Sequence, residues 1–388
     1  MDVKAEFEFV TSDRILFGIG TVAKTASISK EFGNHALLVC GGGSVPLEKI
    51  SNLLDDAGIS YTIFQVEKEP EVQIIQSGLS LANLSNCDFV IGYGGGSVLD
   101  TGKAISALLR NQGDLMDYLE VIGAGKKIEN PAAPMIAIPT TAGTGTEVTR
   151  NAVISSPEHN VKVSMRSPLM IPTVALVDPE LTVTMPPSVT ASTGMDALTQ
   201  VIEGYVSNKA NPMTDALAKE GIKRGSRSLF QAYHNGNDRS ARNDMALTSL
   251  FGGLVLGNSG LGAVHGFAGP IGGMFHAPHG AICASLLPYL MKYNAIELSK
   301  SEDYQYIQSK FRNIAKWVTR DPYASIEDGV EWIKDLADQL QIPGLREIGI
   351  KQSDFDRIIE KSKVASSMQK NPIKLSESTL RAILQEAY

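Results

Sequence analysis

The chain has 388 residues, which is long enough for two domains, and its hydrophobic fraction of 43% is ordinary for a globular protein. A net charge of −7 and an isoelectric point near 5.5, without a basic stripe, argue against a nucleic-acid partner. The three scattered cysteines form neither a disulfide framework nor a Cys-x-x-Cys site, which indicates a reducing cytoplasm.

The first half of the chain has the pattern of an α/β domain. The N-terminal segment lacks the basic start and the apolar core of a signal peptide. Short apolar runs then alternate with helical patterns up to about residue 180. Such alternation predicts a doubly wound parallel sheet covered on both faces. Strands are predicted at 36–40, 61–66, 88–94 and 134–140, and helices at about 46–57, 74–84 and 99–110.

The second half is predicted to be all-helical. The paired Pro186 and Pro187 mark the boundary, so we expect an α/β domain over 1–185 and an all-α domain over 186–388. The apolar run 245–264 contains several glycines and too few bulky apolar side chains for a membrane span, so we expect a buried core helix there. The predicted helices cover 188–207, 212–231, 240–257, 277–294, 303–319, 325–340 and 353–367.

Two loops after strands carry the signals of a nucleotide site. In residues 93–104, three consecutive glycines let the backbone approach a ligand, and Ser97 can hydrogen-bond a phosphate near a helix N-terminus. The loop matches neither the Rossmann fingerprint nor a Walker A motif, and a tight turn is the alternative. Residues 138–150 add a second loop rich in threonine and glycine. The two loops together predict dinucleotide binding.

A third signal concerns the choice of dinucleotide. The strand at 36–40 runs into Gly41, Gly42 and Ser44, with no carboxylate before Glu48 to accept bonds from a ribose 2′-hydroxyl. That absence favours NADP(H) over NAD(H), although a wide turn would give the same pattern. Lys49 is either a partner for the 2′-phosphate or a solvated helix charge.

Four residues of the second half form a candidate metal site. Asp196 and Gln200 are four apart, so on a helix they share a face, and His265 and His279 follow among glycines and prolines. A carboxylate and two imidazoles with an open fourth position are typical of a catalytic divalent metal. The alternative is that the histidines are loop residues and Asp196 is a helix cap.

These motifs together resemble the iron-containing (group III) alcohol dehydrogenases of the dehydroquinate synthase-like superfamily. The segments GGGSVLDTGKA, PTTAGTGTEVT, DPEL, GMDALTQVIEGYVS and VHGFAGPIGG…APHG follow in the family's order across about residues 90–280. The resemblance implies an N-terminal dinucleotide domain, a C-terminal helical metal domain, catalysis in the cleft between them and a homodimer.

By position, the resemblance implies that Asp196, His265 and His279 are metal ligands and that Lys162 is a basic residue near the cofactor. It also implies that the two glycine- and threonine-rich loops contact the dinucleotide. The full set of candidate cofactor contacts is Gly41, Gly42, Ser44, Gly94, Gly95, Gly96, Ser97, Asp100, Thr140, Thr141, Thr144, Thr149 and Lys162.

The chain departs from the family at two positions. Gln200 replaces a histidine ligand, and the amide oxygen of Gln200 is a weaker donor for Fe²⁺ or Zn²⁺. The zinc-dependent glycerol dehydrogenase branch of the superfamily works with one aspartate and two histidines. Gly269 replaces a second histidine, a proton-relay side chain, and His276 is the nearest substitute. A helical or surface role for His276 is the alternative.

The function that we expect is a metal-dependent, NAD(P)-linked alcohol dehydrogenase or aldehyde reductase acting on a small aldehyde or primary alcohol. A divalent cation polarises the carbonyl and dihydronicotinamide delivers hydride. Protonation runs through water, ribose hydroxyls or His276. Two other hypotheses remain: a lyase of the dehydroquinate synthase type, and a nucleotide-binding protein whose metal site is degraded at Gln200 and Gly269.

Overall fold

The computed structural model describes residues 6–42, 46–159, 161–275 and 277–388. They form two compact units. One, the α/β unit, comprises Val10–Thr141 and Gly145–Met185. The other, the helical unit, comprises the residues up to Phe9, the short segment Ala142–Thr144, and Pro186–Tyr388.

The α/β unit is built on a six-stranded parallel sheet with strand order β1-β8-β5-β4-β2-β3, and β6 and β7 form a separate antiparallel pair. Its strands are β1 (Arg14–Phe17), β2 (His35–Gly41), β3 (Ser60–Val66), β4 (Phe89–Gly94), β5 (Met135–Pro139), β6 (Asn151–Ser156), β7 (Val161–Arg166) and β8 (Val174–Val177). Its helices are α1 (Thr25–Ser29), α2 (Glu48–Ala57), α3 (Val72–Leu84), α4 (Gly96–Leu108) and α5 (Leu115–Tyr118).

Alternate residues of the central strands enter two different cores. In β2, Leu37 and Val39 join the core that includes Ile105 of α4, whereas Ala36 and Leu38 join the core that includes Ile50 of α2. Successive side chains of a strand point to opposite faces, so a sheet with helices on both sides needs an unbroken apolar run. The predicted doubly wound parallel sheet is confirmed.

The helical unit packs around α6, which is buried without interruption from Gly194 to Val206. The helices are α6 (Pro187–Val206), α7 (Pro212–His234), α8 (Arg239–Ser259), α9 (Ala263–Phe275), α10 (His279–Leu298), α11 (Gln305–Thr319), α12 (Ile326–Gln339), α13 (Phe355–Lys363) and α14 (Glu377–Glu386). A polar residue on α6 must therefore find a hydrogen-bond partner inside the unit, because burying an unpartnered polar group is costly.

The single core helix predicted over 245–264 is wrong in one respect. The chain breaks after Ser259 at Gly260, whose φ of 67° lies in the left-handed region, and α9 starts three residues later. Helices α8 and α9 meet at a bend of 99°. Among the described residues no single helix is long and apolar enough to cross a membrane, and only this bent pair reaches that length and composition together.

Candidate metal centre and nucleotide loops

Helix α6 presents three polar side chains on one buried face. Asp196 is 3% exposed, Gln200 follows one turn later, and Glu203 follows after a second turn. Residues three and four apart on a helix lie above one another, so the three side chains form a polar column in an apolar core. The column is the base of the predicted metal site.

His265 is held in one orientation by Glu203. The Nδ1 atom of His265 donates to Oε2 of Glu203 at 2.7 Å, and the backbone N–H of Val264 donates to the other carboxylate oxygen at 2.6 Å. Glu203 thus satisfies a free N–H group at the start of α9 and fixes the imidazole tautomer. The remaining ring nitrogen, Nε2, lies 3.3 Å from Oδ1 of Asp196.

His279 and Cys283 complete the cluster from α10. The Nε2 atom of His279 lies 3.7 Å from Oδ1 of Asp196, and the Sγ atom of Cys283 lies 3.8 Å from Nε2 of His265. One ligand atom from each of these four residues lies within 4.8 Å of the others. The His279 side chain is 40% exposed, so the cluster is open on that side. The structure therefore brings together the predicted Asp196, His265 and His279.

The electrostatics of the cluster favour a cation. Burial opposes ionisation of the Asp196 carboxyl, but the charge of His279 and the hydrogen bond from His265 outweigh it, and the pKa of Asp196 lies below its usual value. Burial likewise opposes protonation of His265, yet its interaction with Cys283 and its hydrogen bonds to Asp196 and Glu203 hold the pKa of that imidazole well above its usual value. Groups that retain positive charge despite burial mark a region of negative potential.

Gln200 and Gly269 lie at the two positions where the sequence differs from the family pattern that it resembles. The amide nitrogen of Gln200 donates to Oδ2 of Asp196 and to the Gly143 carbonyl, both at 3.2 Å. A Cβ atom on Gly269 would meet no described atom within 4 Å, so this side of α9 is open. His276, the predicted proton-relay residue, lies outside the described residues.

The glycine loop of the α/β unit leads directly into α4. Gly95 is the N-cap of α4, and no described side chain caps the helix there. The loop is closely packed: the Thr140 N–H donates to the Gly94 carbonyl at 3.0 Å, and a Cβ on Gly95 would lie 3.3 Å from the Thr141 side chain. The N–H groups of Gly96 and Ser97 have no hydrogen-bond acceptor among the described residues, so they are free to bind an anion, whereas the Leu99 N–H donates to the Gly95 carbonyl.

Two residues predicted to contact the cofactor, Asp100 and Thr149, bind a buried lysine. Lys103 forms an ion pair with Asp100 at 3.0 Å and donates to the Thr149 hydroxyl, also at 3.0 Å. Asp100 also accepts from the Val153 N–H at 2.9 Å and from the Thr146 hydroxyl. This network ties α4 to the loop after β5, and a cofactor contact at Asp100 or Thr149 stays a prediction.

The remaining predicted contacts lie at separate places. Gly41 ends β2, beside β4 in the sheet, and Gly42 follows it at the surface. Thr144 is exposed and belongs to the helical unit. Lys162 on β7 forms an ion pair with Glu69 at 2.6 Å, so its role near a cofactor stays a prediction. Ser44 lies outside the described residues.

Sequence reasoning missed Glu203 and Cys283. Glu203 lies seven residues after Asp196 and Cys283 four residues after His279, spacings that place each pair on one helix face. Those spacings could have indicated both residues.

Residues 12–179 match the family model described as iron-containing alcohol dehydrogenase, and residues 190–388 match the C-terminal model of the same family. The chain belongs to the iron-containing alcohol dehydrogenase family, whose named members are oxidoreductases.

Similar proteins cover nearly the whole chain. The 1,3-propanediol dehydrogenase of Klebsiella pneumoniae is 36% identical over 364 residues, which cover 92% of each protein. Alcohol dehydrogenase 4 of Schizosaccharomyces pombe is 34% identical over 378 residues, covering 96% of this chain and 87% of that protein. A crystal structure of a 1,3-propanediol oxidoreductase aligns with a TM-score of 0.91 and 34% identity, over 99% of this chain and 100% of that one.

Proposed function

We propose that the chain is a metal-dependent, NADP(H)-linked alcohol dehydrogenase that interconverts small primary alcohols and their aldehydes. The observation that carries this proposal is the convergence of Asp196, His265 and His279, with ligand atoms 3.3 and 3.7 Å from a shared carboxylate oxygen. Family membership supports the reaction class, and the 1,3-propanediol relatives support a short, unbranched substrate.

The donor set fits a divalent cation. Oxygen and nitrogen ligands at about 2.0–2.2 Å around a tetrahedral ion lie about 3.3–3.6 Å from one another, close to the distances in the cluster. Glu203 holds His265 with Nε2 free, as an outer carboxylate commonly does for a metal-bound histidine. Fe²⁺ or Zn²⁺ bound there would polarise a substrate carbonyl, and a bound nicotinamide would exchange hydride with its carbon.

The chain's own residues orient and hold these groups. The uncapped N-terminus of α4 would bind the pyrophosphate, because its free N–H groups and the helix dipole favour anions. At the end of β2, Gly41 and Gly42 leave room for a 2′-phosphate where a carboxylate would repel it. This supports NADP(H) over NAD(H).

Steady-state kinetics test the proposal. We expect oxidation of NADPH with short aldehydes such as propanal, and reduction of NADP⁺ with 1-propanol or 1,3-propanediol, with a higher kcat/KM than for the NAD(H) pair. A lyase that regenerates its own NAD would give no net change in NADPH absorbance. Absence of turnover with every alcohol and aldehyde, in protein loaded with Fe²⁺ or Zn²⁺, would overturn the proposal.

Assembly and location are part of the proposal. Family resemblance supports a homodimer, which light scattering of the purified chain tests directly. The three cysteines, Cys40, Cys87 and Cys283, are free thiols, and this supports a reducing cytoplasm. Fractionation of the source cells tests that location.

A further inference from the structure

Gln200 does not present a metal-ligand atom to the cluster. Its amide nitrogen donates to Oδ2 of Asp196 and to the Gly143 carbonyl. Both partners are acceptors, so this end of the amide must be the NH₂ group. The amide oxygen, Oε1, lies on the side of Gly252 in α8 and has no hydrogen-bond partner among the described residues.

Cys283 occupies the position of a fourth donor. It is fully buried on α10, one turn after His279, so both side chains reach the cluster from one helix face. Its Sγ atom is 3.8 Å from Nε2 of His265 and within 4.8 Å of the ligand atoms of Asp196 and His279. Mixed nitrogen and sulfur ligands of a tetrahedral zinc ion are about 3.6 Å apart.

We propose that Cys283 is a metal ligand and that the centre of this protein is an Asp196–His265–His279–Cys283 site. This inference rests on the proposed function, because it concerns the same metal. The thiolate takes the place of the imidazole lost at Gln200, and Gln200 positions Asp196 by hydrogen bonding. Binding breaks the S–H bond of Cys283, forms a metal–sulfur bond and releases the proton to solvent.

The thiolate changes the metal preference of the site. Carboxylate and imidazole ligands suit several divalent metals, whereas a soft thiolate ligand favours Zn²⁺ over Fe²⁺. Two anionic ligands, Asp196 and Cys283, also balance the charge of a divalent cation in a buried setting. The exposed side of His279 leaves an approach for a substrate oxygen as a further ligand. We therefore expect this protein to retain Zn²⁺ in preference to Fe²⁺.

X-ray absorption at the zinc edge tests the inference on the unmodified full-length protein loaded with Zn²⁺. We expect one sulfur neighbour at about 2.3 Å together with nitrogen and oxygen neighbours at about 2.0–2.1 Å. Bound zinc with nitrogen and oxygen neighbours alone would overturn the role of Cys283 and leave the proposed function standing. Failure to bind any zinc or iron would overturn both.

Cobalt substitution gives a second readout. With Co²⁺ in place of zinc, we expect near-ultraviolet thiolate-to-cobalt charge-transfer absorption that disappears in Cys283→Ser. The matched control is Cys40→Ser, a buried cysteine of the α/β unit, which should leave the band unchanged. A band that persists in Cys283→Ser would overturn the inference. We expect the band to persist in Gln200→Leu, because the thiolate of Cys283 binds the metal without the amide.

Discussion

Glu203 and His265 form a hydrogen-bonded pair in which Nδ1 of the imidazole lies 2.7 Å from the carboxylate. The same carboxylate accepts a hydrogen bond from the Val264 N–H. The Glu203 side chain therefore caps the N-terminus of α9 and also directs Nε2 of His265 toward Asp196. A carboxylate placed in this way raises the basicity of a ligating imidazole and fixes its orientation.

Glu203→Gln should weaken metal binding about 10- to 100-fold, because the amide keeps only one acceptor oxygen for three donors, the backbone N–H groups of Val264 and His265 and Nδ1 of His265. The dissociation constant for Zn²⁺, measured by competition with a coloured chelator, checks this. Glu331→Gln, an exposed residue of α12, is the matched control and should leave the constant unchanged. Equal affinities in both variants would show that Glu203 only caps α9.

Gly280→Ala should disturb the metal centre through the backbone. A Cβ atom at Gly280 would overlap the carbonyl of Ser192 in α6, and a backbone carbonyl cannot avoid the overlap by rotating as a side chain can. We expect α10 to shift, with a loss of about 1–3 kcal/mol in the free energy of unfolding and reduced zinc stoichiometry. Gly269→Ala, also within a helix but with open space around it, is the control. Normal zinc content in Gly280→Ala would contradict the tight contact.

Gly42→Asp should shift cofactor preference toward NADH. Among the described atoms, a Cβ at Gly42 meets the end of the flexible Gln65 side chain alone, so these atoms allow the substitution. The new carboxylate would repel a 2′-phosphate and accept hydrogen bonds from a 2′-hydroxyl. We therefore expect the ratio of kcat/KM for NADPH to kcat/KM for NADH to fall about tenfold or more. Gly42→Ala, which adds bulk without charge, should keep the ratio. An unchanged ratio in Gly42→Asp would place the 2′-phosphate elsewhere.

Glu147 gives the stability of the protein a pH dependence. Burial, partly offset by a backbone hydrogen bond and by the charge of Lys103, raises the pKa of its carboxyl to about 7 from the ordinary 4.5. Between pH 4.5 and 7 the folded chain binds a proton that the unfolded chain has lost, so the free energy of unfolding falls as pH rises. The fall amounts to roughly 3 kcal/mol and is complete above pH 7.

Glu147→Gln should remove this loss. Urea denaturation at pH 4.5 and pH 8 should show the variant gaining roughly 3 kcal/mol relative to the unmodified protein over that interval. Parallel stability profiles for the two proteins would mean that the carboxyl of Glu147 ionises inside the fold at its ordinary pKa.

The central strands were predictable because burial on both faces demands a continuous apolar run, as in FVIGYG of β4. The edge strand β1 was not, because its residues are exposed or half-buried and it pairs with β8 far along the chain, Arg14 with Val174. The break at Gly260 depends on one backbone angle that a glycine permits and does not require.

Prediction of the site from sequence is limited in the same way, because long-range packing decides which side chains meet. Residue types identified Asp196, His265 and His279, but 69 positions separate Asp196 from His265, and only the packing of α6 against neighbouring helices brings them together. Their helical spacing places Glu203 on the face of Asp196 and Cys283 on the face of His279, but their roles follow from the groups that they contact in the fold. The direction of the Gln200 amide is likewise set by the Asp196 carboxylate and the Gly143 carbonyl, which sequence spacing does not contain.

The most direct test of the account is the metal content of the full-length protein, purified anaerobically without chelator, beside that of its Asp196→Ala variant. We predict about one divalent metal ion per chain, lost in Asp196→Ala and retained in Asp335→Ala, an exposed aspartate of α12. No bound metal, and none taken up when Zn²⁺ or Fe²⁺ is supplied, would contradict the account, as would full retention of metal in Asp196→Ala.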